Sequence, residues 1–177
     1  MKVFIKESIP YIIIFIVVVL IRTYIITPVT VIGSSMYPNL KNDELLLLSK
    51  ISYKLHDIER FDIVVINDSE EEKIIKRVIG LPGENVYYKN NKLVIDNNVI
   101  EDIYANGNTS DFNLYEICKI NNLSCSDGIP SGYYLVLGDN REISKDSRYI
   151  GLINENQIMG RAVVRFWPLN KIKLLTK

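Results

Sequence analysis

Histidine is nearly missing from this sequence: His56 is the only one in 177 residues. A Ser-His-Asp triad, a Cys-His pair or a histidine-ligated metal would each have to be built on it. It lies in "KLHDIERFD", a polar connection that suits an ordinary exposed side chain. Cysteine is also scarce, with Cys118 and Cys125 alone, and no Cys/His spacing fits a metal site. No metal and no cofactor is therefore expected. Neither sign of charge is in excess, since 21 Lys plus Arg balance 21 Asp plus Glu. This excludes the basic surplus that nucleic-acid binding demands. Repeats and low-complexity tracts are absent, and neither a G-x-S-x-G elbow nor an S-x-x-K pair occurs.

What the chain does have is one long apolar run near its start. "SIPYIIIFIVVVLIRTYIITP" is unbroken from Ile9 to Ile21 apart from Pro10 and Tyr11, and through Ile26 it covers 18 residues. As a helix that is about 27 Å, close to the hydrocarbon thickness of a bilayer. Arg22, near the end, can snorkel to the headgroups. Lys2 and Lys6 precede the run and no basic cluster follows before Lys41, which orients the N-terminus inward. The expected organisation is a short cytoplasmic segment over 1–8, a transmembrane signal anchor over 9–26, and an extracytoplasmic β domain over 27–177. That makes a single-pass protein of the cytoplasmic membrane, with the lipid bilayer as a partner. A cleaved secretory signal is the alternative, though no A-x-A-like site follows. A buried core helix is a third, against which stands the lack of any polar face.

The rest reads as strands and turns. "ELLLLSK" (Glu44–Lys50), "DIVVIN" (Asp62–Asn67) and "KIIKRVIG" (Lys73–Gly80) are apolar runs with polar ends. "NVYYKNNKLVIDNNVI" is broken at Asn-Asn and Asp-Asn-Asn, as a meander should be. "GYYLVLGD" and "GRAVVRFWP" supply two more strands, with room for a short helical segment between them. The acidic run "NDSEEEK" is a solvated loop. Residues 101–128 are polar and aperiodic, a long excursion or small subdomain. Its two cysteines are either a disulfide, plausible outside the cytoplasm, or free thiols. A mainly β fold follows.

"GSSMYPNL" (Gly33–Leu40) carries two adjacent serines after the anchor. Without a usable histidine, a serine can still be activated by a lysine distant in sequence. A lysine holds its proton to pH ~10.4 unless desolvated, and burial can lower that by several units. Lys76 has apolar neighbours: alternation puts it on one face with Ile74 and Val78, and Arg77 on the other with Ile75 and Ile79. The other reading of Lys76 is an edge strand using lysine to discourage pairing.

"GSSMYPNL", "RFDIVVI", "KRVIGLPGE" and "GDNREISKDSRYIG" follow the anchor in that order. The chain thereby resembles bacterial type I signal peptidases, over nearly everything but 101–128. The resemblance implies a signal-peptidase-like β-barrel or β-sheet catalytic domain and a Ser/Lys dyad. Ser35, before the methionine, would be the nucleophile and Lys76 the general base. Ser144 would hydrogen-bond the lysine ammonium. Gly33, Ser34 and Met36 would belong to the oxyanion and substrate pocket, with the Ser35 N–H as one oxyanion donor. Some members of the family have a serine where Gly33 stands, so the second donor has to come from elsewhere. Arg77, Asp139, Asn140, Arg141, Asp146 and Arg148 would support the site structurally. Trp167 and Phe166 would rest on the membrane surface or pack in the core.

The implied function is removal of N-terminal signal peptides from exported preproteins. The preproteins would have small residues one and three positions before the cut. Two further readings remain at this point: a conjugation-type peptidase with one dedicated substrate, and a silent anchored β domain that binds exported chains. A self-cleaving repressor would share a Ser/Lys dyad but needs a DNA-binding domain where the anchor stands.

Overall fold

Pro10 does not interrupt the first helix. In the computed structural model, which describes residues 2–68 and 73–175, α1 runs Lys2–Tyr24 through that proline. Its described side chains begin at Ser8, so those of segment 1–7 lie outside the described residues. From Tyr11 to Leu20 the apolar side chains are 44–74 % exposed and belong to no core cluster, which removes the buried-helix alternative. Among the described residues, no helix is long and apolar enough to cross a membrane. The helix also stops short of the expected boundary at Ile26. That residue opens strand β1 (Ile26–Thr30), paired with Ser49 of β2 (Leu45–Ser49).

The remaining strands are β3 (Ile63–Asn67), β4 (Lys73–Gly80), β5 (Val86–Lys89), β6 (Lys92–Ile95), β7 (Asn98–Ile100), β8 (Tyr133–Leu137), β9 (Ile153–Asn154), β10 (Ile158–Trp167) and β11 (Lys173–Leu174). The large sheet runs β1-β2-β10-β3-β4-β8-β9, all antiparallel, with β11 on β10. A second sheet, β5-β6-β7, is the expected meander. Its two turns carry positive φ at Asn90-Asn91 and Asp96-Asn97, which is why asparagine and aspartate stand there. Ser69–Glu72, most of the acidic run, falls outside the described residues.

Both faces of the central strands are covered, so they read as continuous apolar runs rather than alternating ones. In β3, Ile63 and Val65 face a cluster with Met36, Leu40, Leu46, Leu48 and Ala162. Val64 and Ile66 face another with Val78, Tyr134 and Val136. A third cluster joins the meander to the main sheet through Ile79, Val86, Leu93, Leu135 and Leu137.

The excursion at 101–128 is not peripheral to this core. It contains α3 (Leu114–Ile120), opened by a capping box of Asn113 and Glu116, and α3 buries Leu114, Ile117 and Cys118 in the third cluster. Cys118 and Cys125 form a disulfide. The other short helices are α2 (Ser52–Leu55) and α4 (Ser147–Ile150).

Candidate active site

Gly33–Leu40 leaves the end of β1 as a turn pinned from beneath. Met36 is 1 % exposed and Leu40 is fully buried in the core, and the Leu40 N–H donates to the Met36 carbonyl at 2.8 Å. Gly33, at φ +83°, donates its N–H to Asn42 Oδ1 at 2.7 Å. From above, Asn140 holds the same turn twice: its N–H donates to the Ser35 carbonyl at 2.9 Å and its Nδ2 to the Ser34 carbonyl at 3.2 Å. Ser35 is thereby fixed between the core and the 138–148 turn. Among the described residues its own N–H donates to no acceptor.

Lys76 approaches this serine from the middle of β4. The strand is interior, between β3 and β8, so Lys76 is no edge lysine. Its side chain is enclosed, the residue being 4 % exposed, and Nζ donates to Ser35 Oγ at 3.0 Å. Burial pushes the Lys76 pKa below its ordinary value; Asp146 and Asp139 pull it back up, and Arg148 adds to the lowering. Both carboxylates are already paired with guanidinium groups, which weakens their hold on the ammonium. Ser35 and Lys76 open onto a cleft of about 670 Å³. Pro28, Val29, Thr30 and Ile32 line it together with Asp68, Lys73, Ile74, Ile75, Lys145 and Ile150.

The supporting residues form two forked pairs. Arg77 meets Asp139 through Nε–Oδ1 at 2.8 Å and Nη2–Oδ2 at 2.7 Å, donates to the Phe61 carbonyl, and stacks 3.7 Å from the Tyr104 ring. Arg148 meets Asp146 through Nε–Oδ1 at 2.8 Å and Nη2–Oδ2 at 2.9 Å, while Asp146 also accepts from the Gly138 N–H. Arg141 bonds the Gly138 carbonyl, Tyr88, Thr109 and Asp102. The excursion thus braces the turn that holds Ser35, and the Asn106 N–H adds a bond to the Asp139 carbonyl.

Four of the expected site residues stand apart from the Ser35–Lys76 contact. Met36 does not line the cleft, because its side chain is the plug that anchors the turn. Gly33 and Ser34 also lie off the lining; the Gly33 amide is spent on Asn42, and Ser34 is turned to solvent. Lys76 Nζ bonds Ser35 Oγ, and no bond to Ser144 Oγ is formed. The Ser144 hydroxyl is buried and lacks a hydrogen-bond partner among the described residues. It is turned toward Gly138, where a Cβ would collide with it. Asn39, Asp102 and Tyr104 were not anticipated. Asn39 Nδ2 donates to Asp139 Oδ2 at 2.9 Å and stands inside the quoted serine motif, but Asp102 and Tyr104 carry no sequence signal.

A buried lysine bonded to a serine, with no histidine near, narrows the comparison to few hydrolases. The family model "Signal peptidase, peptidase S26" matches residues 5–167. The chain belongs to the signal peptidase family. Signal peptidase IB of Staphylococcus aureus is 39 % identical over 168 residues, covering 90 % of this chain and 87 % of that protein. Signal peptidase I of Bacillus caldolyticus is 37 % identical over 164 residues, covering 88 % and 87 %. A signal peptidase I from Enterococcus faecalis of known crystal structure is 34 % identical, with a TM-score of 0.49 over 60 % of this chain and 97 % of that one. The family assignment makes the chain a serine endopeptidase of the signal peptidase I class.

Proposed function

We propose that the chain cleaves signal peptides from exported preproteins with Ser35 as nucleophile and neutral Lys76 as general base. The observation that carries this reading is the 3.0 Å bond between Lys76 Nζ and Ser35 Oγ, made by a lysine whose burial favours the uncharged form. Lys76 takes the Ser35 proton as Oγ attacks the scissile carbonyl. The resulting ammonium protonates the leaving amine as the C–N bond breaks, and water then hydrolyses the acyl-enzyme with Lys76 again as base. The Ser35 N–H, which has no other acceptor among the described residues, serves the developing oxyanion.

The substrate lies extended along β1, an end strand of its sheet that also lines the cleft. Backbone pairing gives affinity there, and small residues sit one and three positions before the cut. The helix α1 anchors the enzyme in the cytoplasmic membrane with its N-terminus inside. Its length is not what supports this, since no described helix is long and apolar enough to cross a membrane; the support is that its apolar side chains from Tyr11 to Leu20 are exposed and have no protein partner among the core clusters. Cleavage of a purified preprotein with an A-x-A site tests the assignment. Wild type is expected to cut it, while Ser35→Ala and Lys76→Ala are each expected to lose at least about 10³-fold. A folded, membrane-inserted wild type that does not cut would overturn it.

A further inference from the structure

We infer that Asn121 is a positioning residue for substrate binding: from the loop closed by the Cys118–Cys125 disulfide, it fixes the α4 wall of the cleft. This rests on the reading that the cleft beside Ser35 receives the substrate. Asn121 ends α3, and its side chain reaches across to the end of α4. Oδ1 accepts from the Leu152 N–H at 2.6 Å, and Nδ2 donates to the Ile150 carbonyl at 3.4 Å. One amide therefore straddles Gly151. That glycine has φ +81°, and a Cβ on it would run into the Asn121 amide, so both its conformation and its lack of a side chain serve the contact.

Ile150 is the part of α4 that lines the cleft. A four-residue helix does not hold itself in place. Its N-terminal end is tied by Asp146, which accepts from the Arg148 N–H, and by Ser147 Oγ, which accepts from the Val136 N–H at 2.9 Å. Its C-terminal end is tied across by Asn121. Leu152 is only 2 % exposed, so without Asn121 its N–H becomes a buried donor with no partner, and the segment must shift to find one. The loop that presents Asn121 is itself constrained by the disulfide and by the Leu123 N–H bonded to the Cys118 carbonyl at 2.9 Å. Neither Ser35 nor Lys76 is hydrogen-bonded to Asn121, Ile150 or Leu152, and the N-terminal tie through Asp146, which acts on Lys76, does not involve Asn121, so the effect falls on binding rather than on bond cleavage.

Steady-state kinetics of the full chain in detergent micelles, on an A-x-A preprotein, separates the possibilities. Asn121→Ala is expected to raise KM about fivefold, the scale of one lost hydrogen bond, with kcat within about twofold of wild type. Ile150→Ala is expected to raise KM similarly. The double variant is expected to be no worse than Ile150→Ala alone, because Asn121 acts through that residue. If Asn121→Ala does not fold, Asn121→Asp keeps the acceptor for Leu152 and sets a carboxylate oxygen against the Ile150 carbonyl in place of the donor; its KM is expected to rise at least about twofold. An unmoved KM, a fall confined to kcat, or additive effects in the double variant would each overturn the inference while the wild type still cleaves. A wild type that does not cleave overturns the functional reading, and this one with it.

Discussion

Replacing Asp139 by asparagine should be among the most destabilising single changes in this protein that alters no apolar contact. The Asp139 side chain is fully buried and that of Arg77 is 4 % exposed. The two share a forked pair of hydrogen bonds, and Asp139 also accepts from Asn39. Asparagine keeps the shape but removes the charge, leaving the Arg77 guanidinium buried without a counter-ion. Breaking one side of such a pair costs about 3–5 kcal/mol. At about 2–4 °C per kcal/mol for a chain of this size, Tm falls by about 6–20 °C. Replacing both, as Arg77→Met with Asp139→Leu, removes the stranded charge and should recover most of the loss. Thermal and guanidinium unfolding of the full chain in micelles, followed by circular dichroism, reads all three proteins. An Asp139→Asn protein within about 1 kcal/mol of wild type, or a double variant as unstable as the single one, would refute this reasoning.

Reducing the Cys118–Cys125 disulfide, whose cysteines are 7 positions apart, should cost about 2.5 kcal/mol by loop-closure entropy, measured as a lower denaturant midpoint in reductant. Gly138→Ala should cut kcat/KM by about 10²-fold, since a Cβ there meets the Ser144 hydroxyl and the Ser35 carbonyl; peptide cleavage assays read it directly. Lys76→Met should raise stability at neutral pH. Burial lowers the Lys76 pKa in the folded state, so the unfolded chain binds more protons between that lowered value and ~10.4. Stability in wild type therefore rises with pH through that window, is fully present above ~10.4, and is lost as pH falls through the lowered folded value. Unfolding midpoints of both proteins at several pH values, converging as pH rises, check the sign.

How far the sequence reached depended on how local each signal was. β4 spans Lys73–Gly80, the same residues as the apolar run that suggested it, because a strand in the middle of a sheet needs apolar cover on both faces. Alternation alone left Lys76 ambiguous between a buried base and an edge lysine, since only the pairing of β4 with β3 and β8 decides between them. The meander was legible because left-handed turns need residues such as asparagine. β1 was hidden by its position: Ile26–Thr30 follows the apolar run without a break, and its five residues, ITPVT, are too few to show a strand period. α3 was missed because its apolar residues, Leu114, Ile117 and Cys118, make barely one turn of helical period. Ser144 shows the limit for sites. Resemblance pointed to the residue, but the direction of its hydroxyl is set by the space that Gly138 leaves open. Likewise Asp102 and Tyr104, which brace Arg141 and Arg77, meet them only through tertiary packing.

The pH dependence of kcat/KM, measured with the full chain in micelles from pH 5 to 11, most directly tests whether Lys76 acts as a neutral base. Activity is expected to rise through one inflection below the ~10.4 of an ordinary lysine, and Lys76→Ala and Lys76→Arg should abolish it across the range. An inflection at or above that value, or appreciable cleavage by Lys76→Ala, would contradict the assignment of Lys76 as the group that takes the Ser35 proton.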